Sequence, residues 1–440
     1  MKFLKNIFGH MSDLQKRILF TLGALIVYRI GSFIPLPGVN VSVVKDVLFG
    51  SNSSGGGLLD MFNMFAGGSL ERMSVLALNI FPYISASIVI QLLTATSKSL
   101  TDLRKEGESG RIKINQYTRY LAVLLAVVQG WAVVRGLEHM ANGAAVVNPG
   151  LSFELSAIIA LVGGTVFIMW LAEQMTSRGI GQGASLLIFA GIVADIPNGA
   201  RNLIRLAGEG VTSPAMIAFI VAFVVGIVAL IAFMEQAQRR IQILYPRQAM
   251  ANGVMNTNVS YLPIKVNMSG VMGPVFAASI MMLPAFVQRF VQSENLVVQR
   301  VLGFFAYGTW SYMLLYTVLI AFFAYFQTAV VFNSEETSTN LKNMGGYIPG
   351  VRPGEQTMHY LDDVVSRITA IGVVYLIVVC VLPIILKENA GMPVIIGGTS
   401  VLIVAGVVLD TMNQIQSYLV EKQYSGVVSK LQKKAGRFRG

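Results

Sequence analysis

The sequence predicts an all-α polytopic membrane protein with ten transmembrane helices. Of its 440 residues, 54% are hydrophobic and 12% are charged, and the mean hydropathy is +0.64. Soluble domains carry about 25% charged residues, so this chain lacks the polar side chains for a water-facing shell. Its apolar residues fall into runs near the length of about 20 residues that a helix needs to cross a bilayer. Ten such runs are predicted, at 18–35, 73–94, 118–137, 154–172, 184–203, 213–234, 269–288, 310–332, 368–386 and 393–415.

The N-terminal residues 1–14 carry apolar side chains at helical spacing, with Lys2 and Lys5 on the opposite face. This pattern predicts a helix that lies along the membrane surface. The run 18–35 that follows lacks a small-x-small cleavage site, so we expect it to be retained as the first span.

A much shorter apolar segment follows the first span. It covers residues 58–65 and includes Leu58, Leu59, Met61, Phe62, Asn63, Met64 and Phe65. Eight helical residues extend only about 12 Å, far less than a bilayer core of about 30 Å. Glycines at 55–57 and 67–68 give the backbone on both sides unusual freedom. The segment is therefore predicted to be a movable half-helix that stops a channel.

The second and fifth spans are the weakest by hydropathy. Ser85, Ser87 and Gln91 interrupt the second, and Asn198 interrupts the fifth. Polar residues within spans usually face a bundle interior or a water-filled cavity, so these two spans are expected to line a wet or movable part of the protein.

The distribution of basic residues predicts the orientation. With the N-terminus inside, 24 lysines and arginines fall on the inner side and 9 on the outer side. Cytoplasmic loops carry the excess of basic residues in membrane proteins, so both termini are expected to be cytoplasmic.

Two of the inner loops, 235–268 and 333–367, are each longer than thirty residues and contain glycine and proline. Long loops of this kind are more often functional than not, which favours the docking of a soluble partner. Solvated connectors remain the alternative interpretation.

Several kinds of chemistry have no motif in this sequence. It contains no G-x-x-x-x-G-K-[ST] phosphate-binding loop, and His10, His139 and His359 are isolated from one another. Cys380 is the single cysteine, so disulfides contribute nothing. We therefore expect no catalytic residue, no metal site and no cofactor, and the chain is not predicted to be an enzyme.

An ion-coupled solute transporter stays open as an alternative at this point. Such proteins usually keep an acidic residue or a histidine near the membrane midplane, whereas Glu154, Glu173, Asp195 and Asp410 fall towards span ends. Discontinuous helices also occur in transporters, so the short segment alone does not exclude that class.

Seven segments that occur in order between about residues 12 and 415 resemble the SecY family, the central subunits of the bacterial protein-conducting translocon. They are Met61–Phe65 leading into Gly67–Ser69, Pro82–Ile88, Lys105–Arg111, Gly179–Gly183, Leu262–Met268, Arg352–Thr357 and Gly397–Ser400. The resemblance implies two pseudo-symmetric five-helix halves around a central pore, at 1–205 and 206–440. It also implies that 58–65 is the plug of that pore.

The resemblance further implies a ring of aliphatic side chains at the waist of the pore. By position these are Ile80, Ile84, Ala184, Ile188, Val275 and Ile403. Ile80 with Ile84, and Ala184 with Ile188, have the i, i+4 spacing that places both members on one helix face. Ala184 is smaller than the residue usual there, so either a lopsided ring or a larger share of the seal for the plug is expected. Pro82 is expected to bend the second span, either passively or so as to turn this face towards the pore.

In the family, the second span forms part of a lateral gate through which signal sequences leave for the lipid. This implies a gate role for Ser85, Ser87 and Gln91, although small polar residues also simply pack helices closely.

Partner docking is implied for Arg352 in one long inner loop and for Arg239, Arg240 and Arg247 in the other. Arg352 is the residue most closely tied to activation of the SecA motor in the family. An arginine suits this task because its guanidinium pairs bidentately with a carboxylate or phosphate.

The implied function is translocation of unfolded secretory proteins across the bacterial cytoplasmic (inner) membrane, with lateral release of membrane-protein helices into the lipid. The implied partners are the SecE and SecG subunits, the SecA ATPase, the translating ribosome, and secretory preproteins with their signal sequences. No specific nucleic-acid sequence is expected to bind.

Overall fold

The structure, a computed structural model, describes residues 13–49, 62–139, 144–209, 213–245, 258–290, 303–304, 307–390 and 397–437. The elements are α1 (Asp13–Gly31), α2 (Val41–Phe49), α3 (Phe81–Thr96), α4 (Lys98–Lys105), α5 (Glu108–His139), α6 (Leu151–Arg178), α7 (Gly183–Gly208), α8 (Pro214–Gln236), β1 (Gln238–Tyr245), β2 (Asn258–Lys265), α9 (Met272–Phe290), α10 (Trp310–Val331), α11 (Ser334–Asn343), α12 (Glu355–Ala390) and α13 (Gly398–Arg437). The surface helix predicted over 1–14 lies almost wholly outside these residues.

Each of the ten predicted spans overlaps a helix. Seven helices in the described part of the chain are long and apolar enough to cross a membrane, namely α5, α6, α7, α8, α10, α12 and α13. The spans numbered two and seven fall on the shorter apolar helices α3 and α9, and the first falls on α1, which carries Asp13 and Arg29 near its ends. The predicted all-helical membrane architecture is confirmed.

The second span starts later than its hydropathy predicts. The apolar run begins at residue 73, whereas α3 begins at Phe81 and residues 66–80 form irregular turns that are mostly buried. Irregular backbone at membrane depth requires protein partners for its polar groups. The Met73 carbonyl accepts from the Leu36 N–H at 2.8 Å, and the Val75 N–H donates to the Ile34 carbonyl at 2.9 Å.

This late start also explains why the bend predicted at Pro82 is wrong. Pro82 lies in the first turn of α3, directly after Phe81. The first N–H groups of a helix have no intrahelical acceptor, so a proline there removes no hydrogen bond and does not kink the helix.

The inner loop predicted over 235–268 contains an antiparallel hairpin of β1 and β2, which pair from Gln238 opposite Lys265 to Tyr245 opposite Asn258. Two backbone hydrogen bonds, at 2.9 and 3.0 Å, join Leu244 to Tyr347 of the other long inner loop. A small apolar core lies beneath this junction and contains Ile241, Ile264, Ile348, Leu361 and Ile368. The described parts of the two loops therefore form one structured platform.

Most of the spans share one large apolar core. It includes Tyr28, Tyr312 and Tyr316, each about 1% exposed. Large apolar side chains on the outer helix faces are exposed instead, for example Ile159 at 70% and Leu314 at 68%. Such an apolar exterior suits contact with lipid chains.

Candidate functional site

The described end of the predicted plug is packed inside the protein. Phe62, Met64 and Phe65 are buried, and the ring of Phe62 stacks on that of Phe81 with 4.5 Å between centroids. The Phe65 ring lies 6.1 Å from Phe81. Because Phe81 is the first residue of α3, the plug contacts the start of the second span. Leu58, Leu59 and Met61 lie outside the described residues.

The polar member of the plug is held by a chain of contacts that the sequence did not reveal. Asn63 Nδ2 donates to Glu71 Oε2 at 3.3 Å, and the Glu71 N–H donates to Asn63 Oδ1 at 3.0 Å. The other carboxylate oxygen of Glu71 lies 2.8 Å from Nζ of Lys45, a residue of α2. The hydrogen bond that Lys45 donates to the Glu71 carboxylate raises the pKa of Lys45. Asn63 is thus linked to α2 through one carboxylate.

The six aliphatic residues of the predicted ring come from four segments, and all belong to or pack against the large apolar cluster that forms the core of most spans. Ile80 and Ile84 lie at the start of α3, Ala184 and Ile188 on α7, Val275 on α9 and Ile403 on α13. Five of them are at most 7% exposed, and Ala184 is half-buried. The same cluster contains Phe62, Met64 and Phe65.

A polar cavity of about 580 Å³ adjoins this cluster. Its lining residues are Gln182, Ser185, Lys265, Val407, Asp410, Thr411, Asn413, Gln414, Ser417 and Tyr418. Ser185 follows Ala184 of the ring, and Val407 lies one helical turn after Ile403. On α13 the residues therefore change from apolar at Ile403 and Val407 to polar at Asp410, about two helical turns after Ile403. The spacing of Asp410, Gln414 and Ser417 on one face of α13 is the sequence signal that could have predicted this lining.

The second span, α3, which is predicted to form part of the lateral gate, lies next to helices from later in the chain. α3 packs on α5, α9 packs on α10, and α9 also contacts both α3 and α5. Ser85, Ser87 and Gln91 are half-buried on α3. Gln91 Nε2 donates to Ser87 Oγ at 3.2 Å, whereas the buried Gln91 Oε1 has no partner among the described residues.

Three of the four predicted docking arginines lie on the structured inner platform. Arg239 and Arg240 are exposed on β1, and Arg352 is exposed between Gly350 and Gly354, which have φ of +82° and +104°. Thr357 Oγ1 donates to the Arg352 carbonyl at 2.8 Å, so the backbone that carries the guanidinium is fixed. Arg247 lies outside the described residues. In the described part of the chain, no cluster of three His, Cys, Asp or Glu side chains has the geometry to hold a metal ion.

Comparison with known proteins identifies relatives along nearly the whole chain. The family model described as SecY matches residues 74–412. The protein translocase subunit SecY of Rickettsia bellii is 44% identical over 425 residues, which cover 96% of this chain and 98% of the relative. The corresponding subunit of Escherichia coli K12 is 42% identical over 432 residues, or 96% and 95% of the two chains.

Solved structures share the fold at lower identity. One described as the structure of a protein-conducting channel has a TM-score of 0.64 at 16% identity and covers 92% of both chains. A second, in which the plug domain of SecY is said to stabilise the closed channel and maintain a membrane seal, has a TM-score of 0.62 at 16% identity over 92% of both chains. A third is canine Sec61 in a ribosome-channel complex, with a TM-score of 0.61 at 15% identity over 92% of both chains.

Proposed function

Since this chain belongs to the SecY family and is therefore the protein-conducting channel subunit of a translocase, we propose that the plug and the six aliphatic residues together form its gate. The chain is a multi-pass membrane channel and not an enzyme, and its family membership excludes the alternative of a solute transporter. Such a gate would keep the channel closed to ions and open it for a polypeptide.

One observation carries the gate proposal. Six aliphatic side chains from the start of α3 and from α7, α9 and α13 belong to or pack against the same apolar core as Phe62, Met64 and Phe65, and a polar cavity is lined by Ser185 and Val407, which follow Ala184 and Ile403 on their helices. A narrow apolar constriction expels water and so bars hydrated ions, yet it yields around a passing chain without binding it. The plug adds a second apolar layer to the same seal.

We further propose that the channel opens sideways at a seam between two helix pairs. One pair is α3 and α5, and the other is α9 and α10. These four helices belong to the halves 1–205 and 206–440. An apolar signal sequence wedged between them would separate the halves, release the plug and reach the lipid. Gln91, Ser87 and Ser85 would line this seam, where polar groups weaken an otherwise apolar helix contact.

A translocase subunit works within a complex, and for the finer assignment we propose SecE and SecG as neighbouring subunits. The inner platform, with exposed Arg239, Arg240 and Arg352, is proposed to dock the SecA ATPase and the translating ribosome. A structure of related canine Sec61 is described as a ribosome-channel complex, which supports this choice. The proposed location is the bacterial cytoplasmic membrane, with both termini in the cytoplasm.

The gate is tested by resting ion conductance in planar bilayers that contain the purified complex. Replacement of Ile80, Ile84 and Ile188 together by serine should raise the conductance, because water then enters the constriction. A matched variant, Ile159→Ser, changes a lipid-facing side chain and should leave conductance unchanged. Conductance that stays at the wild-type level in the triple variant would contradict the proposal.

Docking is tested separately by SecA-dependent import of a precursor into vesicles. Arg352→Glu should abolish import while the resting conductance stays low. Lys342→Glu, which reverses another charge on the same inner face, should retain most of the import.

A further inference from the structure

The plug is joined to α3 by irregular backbone whose carbonyl groups need partners. The helical turn at Phe62–Phe65 ends at Phe65, and residues 66–80 follow as turns. The last carbonyls of a helix have no intrahelical donor, and burial prevents water from supplying one. The carbonyls of Phe65 and Gly67 are in this situation, whereas the Ala66 carbonyl already accepts from Ser69 Oγ at 2.6 Å and from the Ser69 N–H at 3.3 Å.

Three side chains from outside the plug donate to these three carbonyls. Asn79 Nδ2 donates to the Phe65 carbonyl at 3.0 Å, and the Tyr28 hydroxyl donates to the Ala66 carbonyl at 3.3 Å. Arg29 Nη1 donates to the Gly67 carbonyl at 2.6 Å. Asn79 Nδ2 also donates to the Tyr28 hydroxyl at 3.3 Å, which joins two of the donors. We call Tyr28, Arg29 and Asn79 the plug anchor.

Two of the three anchor side chains are buried, where a polar group destabilises the protein unless it forms hydrogen bonds. Tyr28 is 1% exposed and Asn79 is 0% exposed. Asn79 has φ of +51°, a left-handed conformation that asparagine tolerates better than most residues. That conformation directs its amide at both the plug and α1. Tyr28 and Arg29 are consecutive residues near the end of α1, so one helix contributes two of the three donors.

We propose that Tyr28, Arg29 and Asn79 are positioning residues that hold the plug in its closed place, and that channel opening requires their three hydrogen bonds to break. The inference rests on the proposed function, in that 58–65 acts as a movable plug. The polar contacts at the end of the plug then hold it in the closed position, in addition to the apolar packing of Phe62 and Phe65.

Two features make this anchor breakable. Arg29 shares the Phe33 ring with Arg72, whose guanidinium carbons lie 5.0 and 4.1 Å from the ring centroid. Two like charges at one ring repel each other, which weakens the hold of Arg29 on its position. In addition, the buried Asn79 Oδ1 has no partner among the described residues. A restraint weakened in these two ways holds the plug closed and still allows its release.

The release of the plug is measured with a cysteine reporter, Met64→Cys, in the full chain reconstituted with its complex in liposomes. Met64 is 8% exposed, so the thiol should react slowly with a membrane-impermeant maleimide while the plug is closed. The native Cys380 is 1% exposed and contributes little background. The labelling rate therefore reports how often the plug opens.

Tyr28→Phe removes only a hydroxyl, and Asn79→Gly removes the amide while it keeps the left-handed backbone. Each should raise the labelling rate about five- to tenfold, as expected when an opening equilibrium loses one buried hydrogen bond. Arg29→Met should do the same, and Arg29→Lys should restore slow labelling because lysine still donates. Tyr325→Phe, at a half-exposed tyrosine elsewhere, is the matched control and should change nothing.

A general loss of stability is separated from a specific release by Leu361→Ala, which empties part of the inner platform core. If this variant raises labelling as much as the anchor variants do at an equal drop in Tm, or if the anchor variants label at the wild-type rate, the proposal is overturned. If labelling rises in the anchor variants while resting conductance stays low, the anchor is supported and the sealing role of the plug is contradicted.

Discussion

Arg104 Nη2 donates a hydrogen bond of 3.1 Å to the backbone carbonyl of Val330, 226 residues later in the chain. Arg104 lies at the end of α4, in the connection between the second and third spans, and Val330 lies in the last turn of α10. A cation next to the carbonyl end of a helix is favourable both as a donor and through the helix dipole. This contact joins the two sides of the proposed lateral gate at its inner end.

We predict that Arg104→Met shifts this seam towards an open arrangement. The contact contributes about 1 kcal/mol, so its loss should raise the open population about fivefold. The measurement is the distance distribution between spin labels at Ser99 on α4 and Thr339 on α11, by electron paramagnetic resonance. Lys105→Met removes the neighbouring exposed charge and should leave the distribution as in the wild type. An unaltered distribution in Arg104→Met would show that the contact does not restrain the seam.

Ala184 is the one small and half-buried member of the proposed ring, so the proposed opening would be widest on its side. We predict that Ala184→Leu lowers the conductance of a channel that lacks residues 58–65, because a larger apolar side chain extends the dry constriction. Ala200→Leu changes an exposed alanine on the same helix and provides the control. Equal conductance in the two variants would show that Ala184 is not a member of the ring.

The spans were predictable from the sequence because an apolar run near 20 residues rarely forms anything but a membrane-spanning helix. Their limits were less predictable where tertiary contacts replace the helical hydrogen bonds. At residues 73–80 the run is apolar, yet the backbone bonds to Ile34 and Leu36 of another segment, and only the fold brings these together. The hairpin was missed because its inward residues Ile241 and Ile243 form only a short alternation in a strand of eight residues.

The candidate site was predictable to a different extent. Its aliphatic residues were named only through the resemblance, because single isoleucines such as Ile188 and Ile403 look like any other residue of a spanning helix. The polar contacts of the plug were missed altogether. Asn79 bonds to Phe65 and Tyr28, and Glu71 bonds to Lys45, between segments that no periodic pattern connects. Such pairs can be identified only from the three-dimensional positions of the loops.

Asn267 joins the end of α8 to the connection between β2 and α9. Its Nδ2 donates to Glu235 Oε1 at 2.5 Å and to the Gly270 carbonyl at 3.1 Å, and its Oδ1 accepts from Ser269 Oγ at 2.8 Å. We predict that Asn267→Ala lowers the free energy of unfolding by about 2 kcal/mol, because it leaves Glu235 and Ser269 without this partner.

The measurement for Asn267→Ala is the apparent Tm of the detergent-solubilised complex, which should fall. Asn340→Ala at an exposed site of α11 should stay within about 0.5 kcal/mol of the wild type. A Tm equal to that of the control would mean that the network at Asn267 adds no stability.

Gly191 on α7 lies directly against the backbone at the end of the plug. A Cβ added there would lie 2.5 Å from the Phe65 carbonyl oxygen and 3.0 Å from the Gly67 nitrogen, both backbone atoms. We predict that Gly191→Ala displaces the end of the plug and raises both the resting conductance and the labelling of Met64→Cys. The substitution also favours the helix itself by about 1 kcal/mol, so the effect is not expected to come from unfolding of α7.

The control for Gly191 is Gly208→Ala on the same helix, where an added Cβ has no neighbour within 4 Å. Gly208→Ala should therefore leave both readouts unchanged. A second comparison uses a channel that lacks residues 58–65, in which Gly191→Ala should have no further effect on conductance because the displaced element is absent. Coupled residues give such non-additive results, whereas independent ones add. If the effects of Gly191→Ala and of the deletion of residues 58–65 on conductance are fully additive, Gly191 affects the pore independently of the plug.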